Sequence, residues 1–305
     1  MSVQELNHLL ERHARPDATT AINGVRICRE DDAISTGPSM SGTVLALVTQ
    51  GRKSLALGDQ VYEYSPGQYL VTSVDLPVTG QFVEASPDYP ALGFAMTLEP
   101  SIIAELLMQA GSGDLPRSGG GARLGIAVSD SSEELLDAVV RLLRLLDRPR
   151  DRKTLMPLVK REILWRLMTG EQGEMVRQLG LADSNLSHIT RAIKWIRGNY
   201  TQQFRVEELA QLSGMSVSAF HKNFHNATTM APIQFQKHIR LQAARLLLAN
   251  HPNDITGVSH LVGYDSPSQF SREYRRMFGA PPSLDAARMR DVVNGGGKDL
   301  SSQGR

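Results

Sequence analysis

Cysteine is the scarcest residue type in this 305-residue chain, which contains only Cys28. A single cysteine excludes an internal disulfide and any metal site built from several cysteines, as expected in a reducing compartment. The chain also has no run of 18 apolar residues, and its polar first 20 residues contain no apolar stretch of signal-peptide length. These absences predict a cytoplasmic protein that does not enter a membrane.

Histidine is missing from the part of the chain that is predicted to form strands. Only His8 and His13 precede residue 188, and both lie before that part. Barrels that carry out metal chemistry usually hold the ion with several histidines and a carboxylate, so a metal site is not expected here. The chain also lacks a glycine-rich phosphate loop after a strand and a G-x-S-x-G elbow. We therefore predict no catalytic residue, no metal, no cofactor and no enzymatic activity.

The net charge of +1 hides an uneven distribution of charge along the chain. Residues 185–290 contain 13 Lys or Arg, 6 Asp or Glu, and six of the eight histidines, whereas the remainder contains 20 basic and 26 acidic residues. A basic segment joined to an acidic one suggests a polyanion partner for the first and a different task for the second, although charge also fluctuates along any chain.

The first half of the sequence changes from a strand pattern to a helix pattern. After a short helix within residues 1–20, segments rich in β-branched and aromatic residues follow one another from Val25 to about Phe94 and are separated by turn signals. This pattern predicts a small barrel or jelly roll of antiparallel strands. A glycine-rich loop from Gly111 to Gly125 is predicted to be mobile, and a helix with a Ser-x-x-Glu capping box follows it. The apolar faces of the helices at 133–169 could pack on the barrel, on each other or on a second subunit.

A helix-turn-helix pattern occurs twice in the second half. In Phe204 to Phe224 an amphipathic helix reaches a turn at Gly214, and Ser216 opens a second helix; the same pattern recurs 49 residues later at Gly263. A continuous helix of about 17 residues, hence about 25 Å long, connects the two units. Since successive major-groove faces on one side of DNA lie about 34 Å apart, one chain could read two adjacent segments of an asymmetric target.

These motifs resemble the AraC/XylS family of bacterial transcription regulators over about 100 residues, from Ile193 to Ala287. The similarity is carried by LAQLSGMSVSAFHKNF, IRLQAARLLL and VGYDSPSQFSREYRRMFGAPPSLDAARMR, with Tyr274 and Arg275 as conservative departures from the family signature. The strand-rich half with its helices, including REILWRLMTGEQGEMVRQL, is similar to the effector or dimerisation domain of one AraC-type subgroup.

The resemblance implies an α+β protein with an N-terminal cupin-like β-barrel, flanking helices and a C-terminal all-α tandem helix-turn-helix domain. We expect an effector-binding or dimerisation domain at 1–182, with the barrel at about 20–98 and helices at about 99–180. A DNA-binding domain at 183–290 and a flexible tail at 291–305 follow.

The resemblance also places base contacts on the outer faces of two recognition helices. On the first these are Ser218, His221 and Lys222, and on the second Ser268, Gln269 and Arg272. Arginine pairs with guanine and glutamine with adenine, which agrees with that assignment. Arg275, Arg276, Lys237 and Arg240 are predicted as phosphate contacts, and for any one of these charges the simpler alternative is a solvated helix face.

The predicted function is that of a sequence-specific DNA-binding transcription regulator controlled by an unknown small-molecule effector. Double-stranded DNA is the expected partner, with RNA polymerase contact and a homodimer as further possibilities. The alternatives are a small-molecule-binding cupin enzyme and a non-specific nucleic-acid architectural protein. Cys28, beside Arg26 and Arg29, could sense oxidants or electrophiles, but a lone cysteine is more often an inert small residue.

Overall fold

The chain folds into two compact units. A computed structural model describes residues 3–33, 35–111, 113–116 and 125–295. The first unit comprises residues 1–192 together with 210–231, and the second comprises residues 193–209 together with 232–305. The domain boundary at residue 182 stays a prediction, and residues 210–231, expected in the DNA-binding domain, group here with the strand-rich unit.

The first unit is built on two antiparallel sheets. The order of strands is β1-β8-β3-β6-β9 in the five-stranded sheet and β2-β7-β4-β5 in the four-stranded sheet. The nine strands found among the described residues are β1 Val25–Glu30, β2 Ser35–Met40, β3 Val44–Gln50, β4 Arg52–Leu57, β5 Gln60–Tyr64, β6 Gln68–Thr72, β7 Pro77–Glu84, β8 Ala91–Thr97 and β9 Ile126–Asp130.

Strand β9 extends the barrel beyond the range 20–98 that the sequence indicated. It pairs with β6, with Leu70 opposite Val128, and so forms one edge strand of the five-stranded sheet. Most of the predicted mobile loop between Gly111 and Gly125, at residues 112 and 117–124, lies outside the described residues.

Five of the helices in the first unit cover one face of the five-stranded sheet. They are α1 Val3–His13, α2 Pro100–Gln109, α3 Glu133–Arg144, α4 Pro149–Thr169 and α5 Gly173–Gly180. Alternate residues of β3, Leu45 and Leu47, are buried in one core with Leu6, Leu10 and other apolar helix residues. Of the three packing partners left open for the predicted helices, the barrel is therefore one that they use.

The capping box predicted for α3 is wrong by one residue. Helix α3 begins after Ser132, whose Oγ accepts a hydrogen bond from the Leu135 N–H at 3.2 Å. Ser132 rather than Ser131 is therefore the cap, and the third helical position is Leu135 instead of Glu134.

The rest of the chain is helical. Its elements are α6 Asn185–Gly198, α7 Val206–Leu212, α8 Val217–Thr228, α9 Pro232–Asn250, α10 Ile255–Leu261, α11 Pro267–Phe278 and α12 Pro282–Gly295. Helix α12 includes residues 291–295 of the predicted tail, and residues 296–305 lie outside the described residues. No helix in the described part of the chain is long and apolar enough to cross a membrane. The α+β fold class predicted from sequence is confirmed.

Candidate nucleic-acid interface

The second helix-turn-helix consists of α10, a turn and α11. Gly263 lies in this turn with a φ of +88°, a conformation that glycine adopts easily, and a Cβ at this position would overlap the backbone of Thr201. The turn therefore requires glycine for two reasons, its backbone conformation and the close approach of another segment. Both restrict the angle at which α11 leaves the turn.

The inner side of α11 is anchored by aromatic residues and a buried acid. Phe270 and Tyr274 are fully buried. The Tyr274 hydroxyl donates to Asp285 Oδ2 at 2.8 Å, and Arg245 Nε lies 2.9 Å from the same oxygen. Burial, with the hydrogen bond to Asp285, raises the pKa of the Tyr274 phenol, so the hydroxyl is a donor at neutral pH. These contacts fix the rotation of α11 and hence which side chains point outward.

The outer side of α11 carries the residues predicted to contact DNA. All five are exposed, and they are Ser268, Gln269, Arg272, Arg275 and Arg276. Three of them line one shallow open groove together with Glu273, namely Gln269, Arg272 and Arg276. The structure thus brings two of the predicted base contacts and one predicted phosphate contact together on a single surface.

Glu273 organises this surface, and sequence reasoning did not identify it. Its carboxylate accepts hydrogen bonds from Lys237 at 2.7 Å, from the Gln269 amide at 3.2 Å and from the Tyr264 hydroxyl at 2.8 Å. Partial burial on its own would raise the pKa of the Glu273 carboxyl, but these hydrogen bonds outweigh burial and hold that pKa below its ordinary value. Glu273 therefore stays ionised and fixes the side chains of Gln269 and Lys237.

Arg240, predicted as a phosphate contact, is bound within the second unit. Its guanidinium donates to the backbone carbonyls of Tyr200 at 2.6 Å, Gly263 at 2.8 Å and Gln202 at 3.1 Å. It also lies 5.8 Å from the centre of the Tyr264 ring. These contacts give Arg240 a structural role in holding the turn at Gly263, and its contact with phosphate stays a prediction.

The first helix-turn-helix ends in α8, which belongs to the first unit. Ser216 caps α8, since its Oγ accepts a hydrogen bond from the Ala219 N–H at 3.3 Å. Phe220 and Phe224 are buried on the inner side of this helix. The outer side exposes the three predicted base contacts and one further histidine: Ser218, His221, Lys222 and His225. Residues 210–231 contain no acidic residue, so this face, unlike that of α11, has no carboxylate of its own.

The carboxyl-terminal end of α8 packs on two loops of the barrel within the first unit. Gly125, just before β9, approaches the carbonyl of Ala227 so closely that a Cβ at residue 125 would overlap it. Met230 Cε lies 3.2 Å from the position of a Cβ built on Gly58, in the turn between β4 and β5. Gly125 is itself held by two hydrogen bonds with Ser73, at 2.8 and 2.9 Å. The end of the first recognition helix is thus seated on the barrel.

Other predicted features of the first unit can be located as well. Cys28 is a partly buried free thiol on the same face of β1 as Arg26, and its sensing role stays a prediction. Within the described ranges no three His, Cys, Asp or Glu side chains are grouped so that they could hold a metal ion.

A strand-rich N-terminal part followed by two helix-turn-helix motifs is the architecture of a two-domain transcription regulator. The description "AraC-type transcriptional regulator N-terminus" matches residues 21–175, and "Helix-turn-helix domain" matches residues 209–287. The chain belongs to the AraC-type transcriptional regulators, as its motifs predicted.

Individual relatives are distant in sequence. The virulence regulon transcriptional activator VirF of Yersinia enterocolitica is 24% identical over 245 residues, which cover 78% of this chain and 87% of VirF. The transcriptional activator RhaS of Klebsiella pneumoniae is 25% identical over 122 residues, 39% of this chain and 44% of RhaS. The matched segment therefore spans less than half of that relative. Among solved structures, ToxT of Vibrio cholerae aligns with 9% identity and a TM-score of 0.50, covering 87% of this chain and 97% of ToxT, a similarity of fold.

Proposed function

We propose that this protein is a sequence-specific DNA-binding transcription regulator whose activity is controlled by a small-molecule effector bound in the first unit. The observation that carries the proposal is the pair of helix-turn-helix units, each with buried aromatic residues inside and exposed polar or basic residues outside. A non-specific binder needs only a basic surface, whereas two preorganised recognition helices are suited to read bases.

Within α11, Gln269 and Arg272 carry the base readout in this proposal. Both are exposed, and the Gln269 amide is already oriented by Glu273. A glutamine can pair bidentately with adenine and an arginine with guanine, each good pair discriminating by about 1 to 3 kcal/mol. Ser268 lies at the start of the helix, where its hydroxyl reaches base edges or the backbone, and Arg275 and Arg276 hold phosphates.

Within α8, His221 and Lys222 supply the base contacts and Ser218 a minor one. Residues 210–231 contain no acidic residue, so this segment neither repels phosphates nor supplies a carboxylate to orient the side chains of α8. We therefore infer weaker discrimination by α8 than by α11. Lys237 reaches phosphate only by giving up part of its ion pair with Glu273. A phosphate contact of Arg240 would likewise compete with its hydrogen bonds to the turn.

A footprint on the DNA upstream of the gene for this protein tests the proposal. Protection of one asymmetric site of about two helical turns, near 70 Å of duplex, supports two recognition helices on one chain. Uniform coating of the DNA instead identifies an architectural protein. Within a protected site, Arg272→Ala should relax specificity at one or two base pairs, while Arg275→Ala should weaken all sequences alike and lower the salt dependence by about one charge.

The remaining parts of the proposal concern partners and setting. We infer that the protein acts in the cytoplasm, has no enzymatic activity, and regulates by contact with RNA polymerase or by self-association. Leu155 and Leu158, three residues apart on α4, are 41% and 60% exposed, so α4 is the element to alter when a homodimer is tested by sedimentation.

A further inference from the structure

A cavity of about 240 Å³ lies in the first unit beside the carboxyl-terminal end of α1. Three segments line it: residues 12–15 at the end of α1, residues 20–21 before β1, and Leu146 with Arg152 around the start of α4. None of these lining residues belongs to one of the nine strands, so the cavity lies outside the two sheets. A single buried water needs only about 10 to 15 Å³, and the cavity therefore has room for a small molecule.

Positive charge dominates the lining of this cavity. Arg12, Arg15 and Arg152 contribute a guanidinium group each, His13 contributes an imidazole, and none of the described residues in the lining is acidic. Several cations that converge on a concave site without a carboxylate among them create a positive potential there. The cavity is therefore suited to an anion.

Two acidic residues next to the cavity offset only part of this positive charge. Asp147 Oδ1 lies 3.1 Å from Arg12 Nη2 and 3.2 Å from His13 Nε2, so one carboxylate oxygen faces both side chains. Asp17 attracts Arg15, but the oxygens of Asp17 already accept hydrogen bonds from one nearby threonine, at 3.0 and 2.8 Å. Three guanidinium groups against two carboxylates leave the site positive even when the imidazole is neutral.

Backbone carbonyls fix Arg152 at the wall of the cavity. Its Nε donates to Leu145 O at 3.1 Å and its Nη2 to Leu146 O at 3.0 Å, both just after α3, while its Nη1 donates to a third carbonyl at 3.5 Å. A guanidinium group has five N–H donors, so two remain for another acceptor. Arg12, whose side chain is 58% exposed, and Arg15, also exposed, can turn toward the same acceptor.

Each of these contacts also has a structural explanation. Cations near the carboxyl-terminal end of a helix complement its unpaired carbonyls, which accounts for Arg12 beside α1 and for Arg152 beside α3. Helix capping does not require, however, that the cations of two helices line one cavity of this size. The shared cavity is therefore the feature that indicates a ligand.

We propose that this cavity binds the phosphate group of a small phosphomonoester, held by the guanidinium groups of Arg12, Arg15 and Arg152. Guanidinium groups form paired hydrogen bonds with phosphate oxygens, and a phosphate group offers three terminal oxygens to three such groups, whereas a carboxylate offers two. Leu146 and Ala21 provide an apolar contact for the organic part. The inference rests on the proposed function in that this ligand is an effector of the regulator.

Thermal unfolding of the full chain with inorganic phosphate, glycerol 3-phosphate and phenyl phosphate tests the proposal. The ionic strength is held constant, because phosphate salts also stabilise proteins without binding to a site. Glycerol and phenol are the neutral controls, and succinate is the control for a dianion without phosphate. At least one phosphomonoester should raise the Tm with a saturating dependence on its concentration, the neutral compounds should not, and succinate should do so more weakly.

Single substitutions connect this response to the cavity. Arg12→Gln and Arg15→Gln should each weaken phosphomonoester binding by about 10-fold or more, because each removes charge-assisted hydrogen bonds to the phosphate. Arg29→Gln is the matched control: it removes the same charge from an exposed arginine of β1 that does not line the cavity, and it should leave binding unchanged. If Arg12→Gln, which frees Asp147, does not fold, Arg15→Gln alone decides the outcome.

The proposal is overturned if no phosphomonoester raises the Tm of the unaltered chain, or if a neutral compound does so equally well. An equal loss in Arg29→Gln and Arg15→Gln also overturns it, because the response would then reflect the overall charge of the protein. Succinate binding as tightly as the phosphomonoesters would refute a site for phosphate. In each case the arginines serve only the helix ends and Asp147.

A footprint on DNA with the same preparations separates this inference from the proposed function. Specific protection without phosphomonoester binding refutes the inference alone, whereas binding without specific protection refutes the proposed function alone. If both occur, the bound phosphomonoester should change the protein concentration needed for half protection, and an unchanged value would refute its role as an effector.

Discussion

At the scale of single residues, the carboxylate of Glu273 accepts hydrogen bonds from two of the predicted DNA contacts, Gln269 and Lys237. In the sequence Glu273 stands between Arg272 and Tyr274, and an acid on a surface proposed to contact phosphates opposes that contact. In the structure it orients Gln269 and occupies Lys237. In the proposed interface, the carboxylate would therefore lower the general affinity for DNA by occupying Lys237, while it orients the Gln269 amide for the proposed base contact.

Replacing Glu273 with Gln should therefore change affinity and specificity in opposite directions. Lys237 is released, so binding to non-specific DNA should strengthen and its salt slope should rise by about one charge. Gln269 loses its anchor, so the ratio of specific to non-specific affinity should fall. Titrations of both DNAs at several salt concentrations measure this, and unchanged specificity would mean that Gln269 does not read bases.

The same substitution should alter the dependence of stability on pH. The pKa of Glu273 is lower in the folded than in the unfolded chain, so its contribution is complete above the unfolded value near 4.5 and is lost as pH falls through the folded value. Glu273→Gln should reduce stability at neutral pH and flatten the decline in acid. Urea unfolding of both forms between neutral and acidic pH measures the difference.

The exposed residues of α11 could be predicted from the sequence, but the partners of Glu273 and Arg240 could not. The exposed positions of α11 follow from helix periodicity and a recognised motif, and all five are exposed as that periodicity implies. The partners of Glu273 and Arg240 do not follow, because Lys237 and Tyr200 lie 36 and 40 residues away along the chain. Only the packing of α9 against its neighbours brings them together.

At the scale of elements, Arg240 connects α9 to the turn before α11. Arg240→Met should lower the free energy of unfolding by about 2 to 3 kcal/mol, because hydrogen bonds from a charged donor to three carbonyls are lost. Arg240→Lys should restore little, since an ammonium cannot reproduce the planar set of donors. Arg276→Met, at an exposed arginine, is the control for denaturant unfolding and should have almost no effect. A small effect at Arg240 would favour the predicted phosphate contact instead.

The contact between Gly125 and α8 can be separated from the backbone strain of the substitution. Gly125→Ala introduces strain at a φ of +103° and an overlap with Ala227, whereas Gly67→Ala, at +88°, introduces strain with nothing within 4 Å. Each should cost about 1 to 2 kcal/mol from strain. Only Gly125→Ala should also speed amide hydrogen exchange across residues 217–231, and equal exchange in the two variants would show that α8 does not depend on this contact.

Some elements follow from signals in the local sequence, whereas others depend on pairing with a distant segment. The connecting helix predicted at about 17 residues is α9, with 19 residues, because helical periodicity is a local signal. Strand β9 was missed, since five residues after a long glycine-rich loop carry little pattern and their role as a strand depends on pairing with β6. Tertiary pairing decides such short strands.

At the scale of the whole molecule, residues 210–231 group with the strand-rich unit, and the domain boundary at residue 182 stays a prediction. A fragment beginning at residue 183 keeps both helix-turn-helix units but loses the barrel loops at Gly58 and Gly125 that contact α8. In this fragment α9 to α12 should retain protected amides, because their core at Phe270 and Tyr274 lies within the second unit. Residues 210–231 should exchange faster than in the full chain. Hydrogen exchange resolved by residue measures both, and equal protection of α8 would establish residue 182 as an independent boundary.

The contact between α8 and the barrel also limits how domains of related regulators can be exchanged. A chimera that joins this DNA-binding half to the sensor of a relative would face α8 with foreign loops at the positions of Gly58 and Gly125. Met230 and Ala227 would then meet side chains that were never selected to fit them. A functional chimera should therefore take the two loops and α8 from the same protein. Among natural relatives, residues 58 and 230 should vary together, and so should residues 125 and 227.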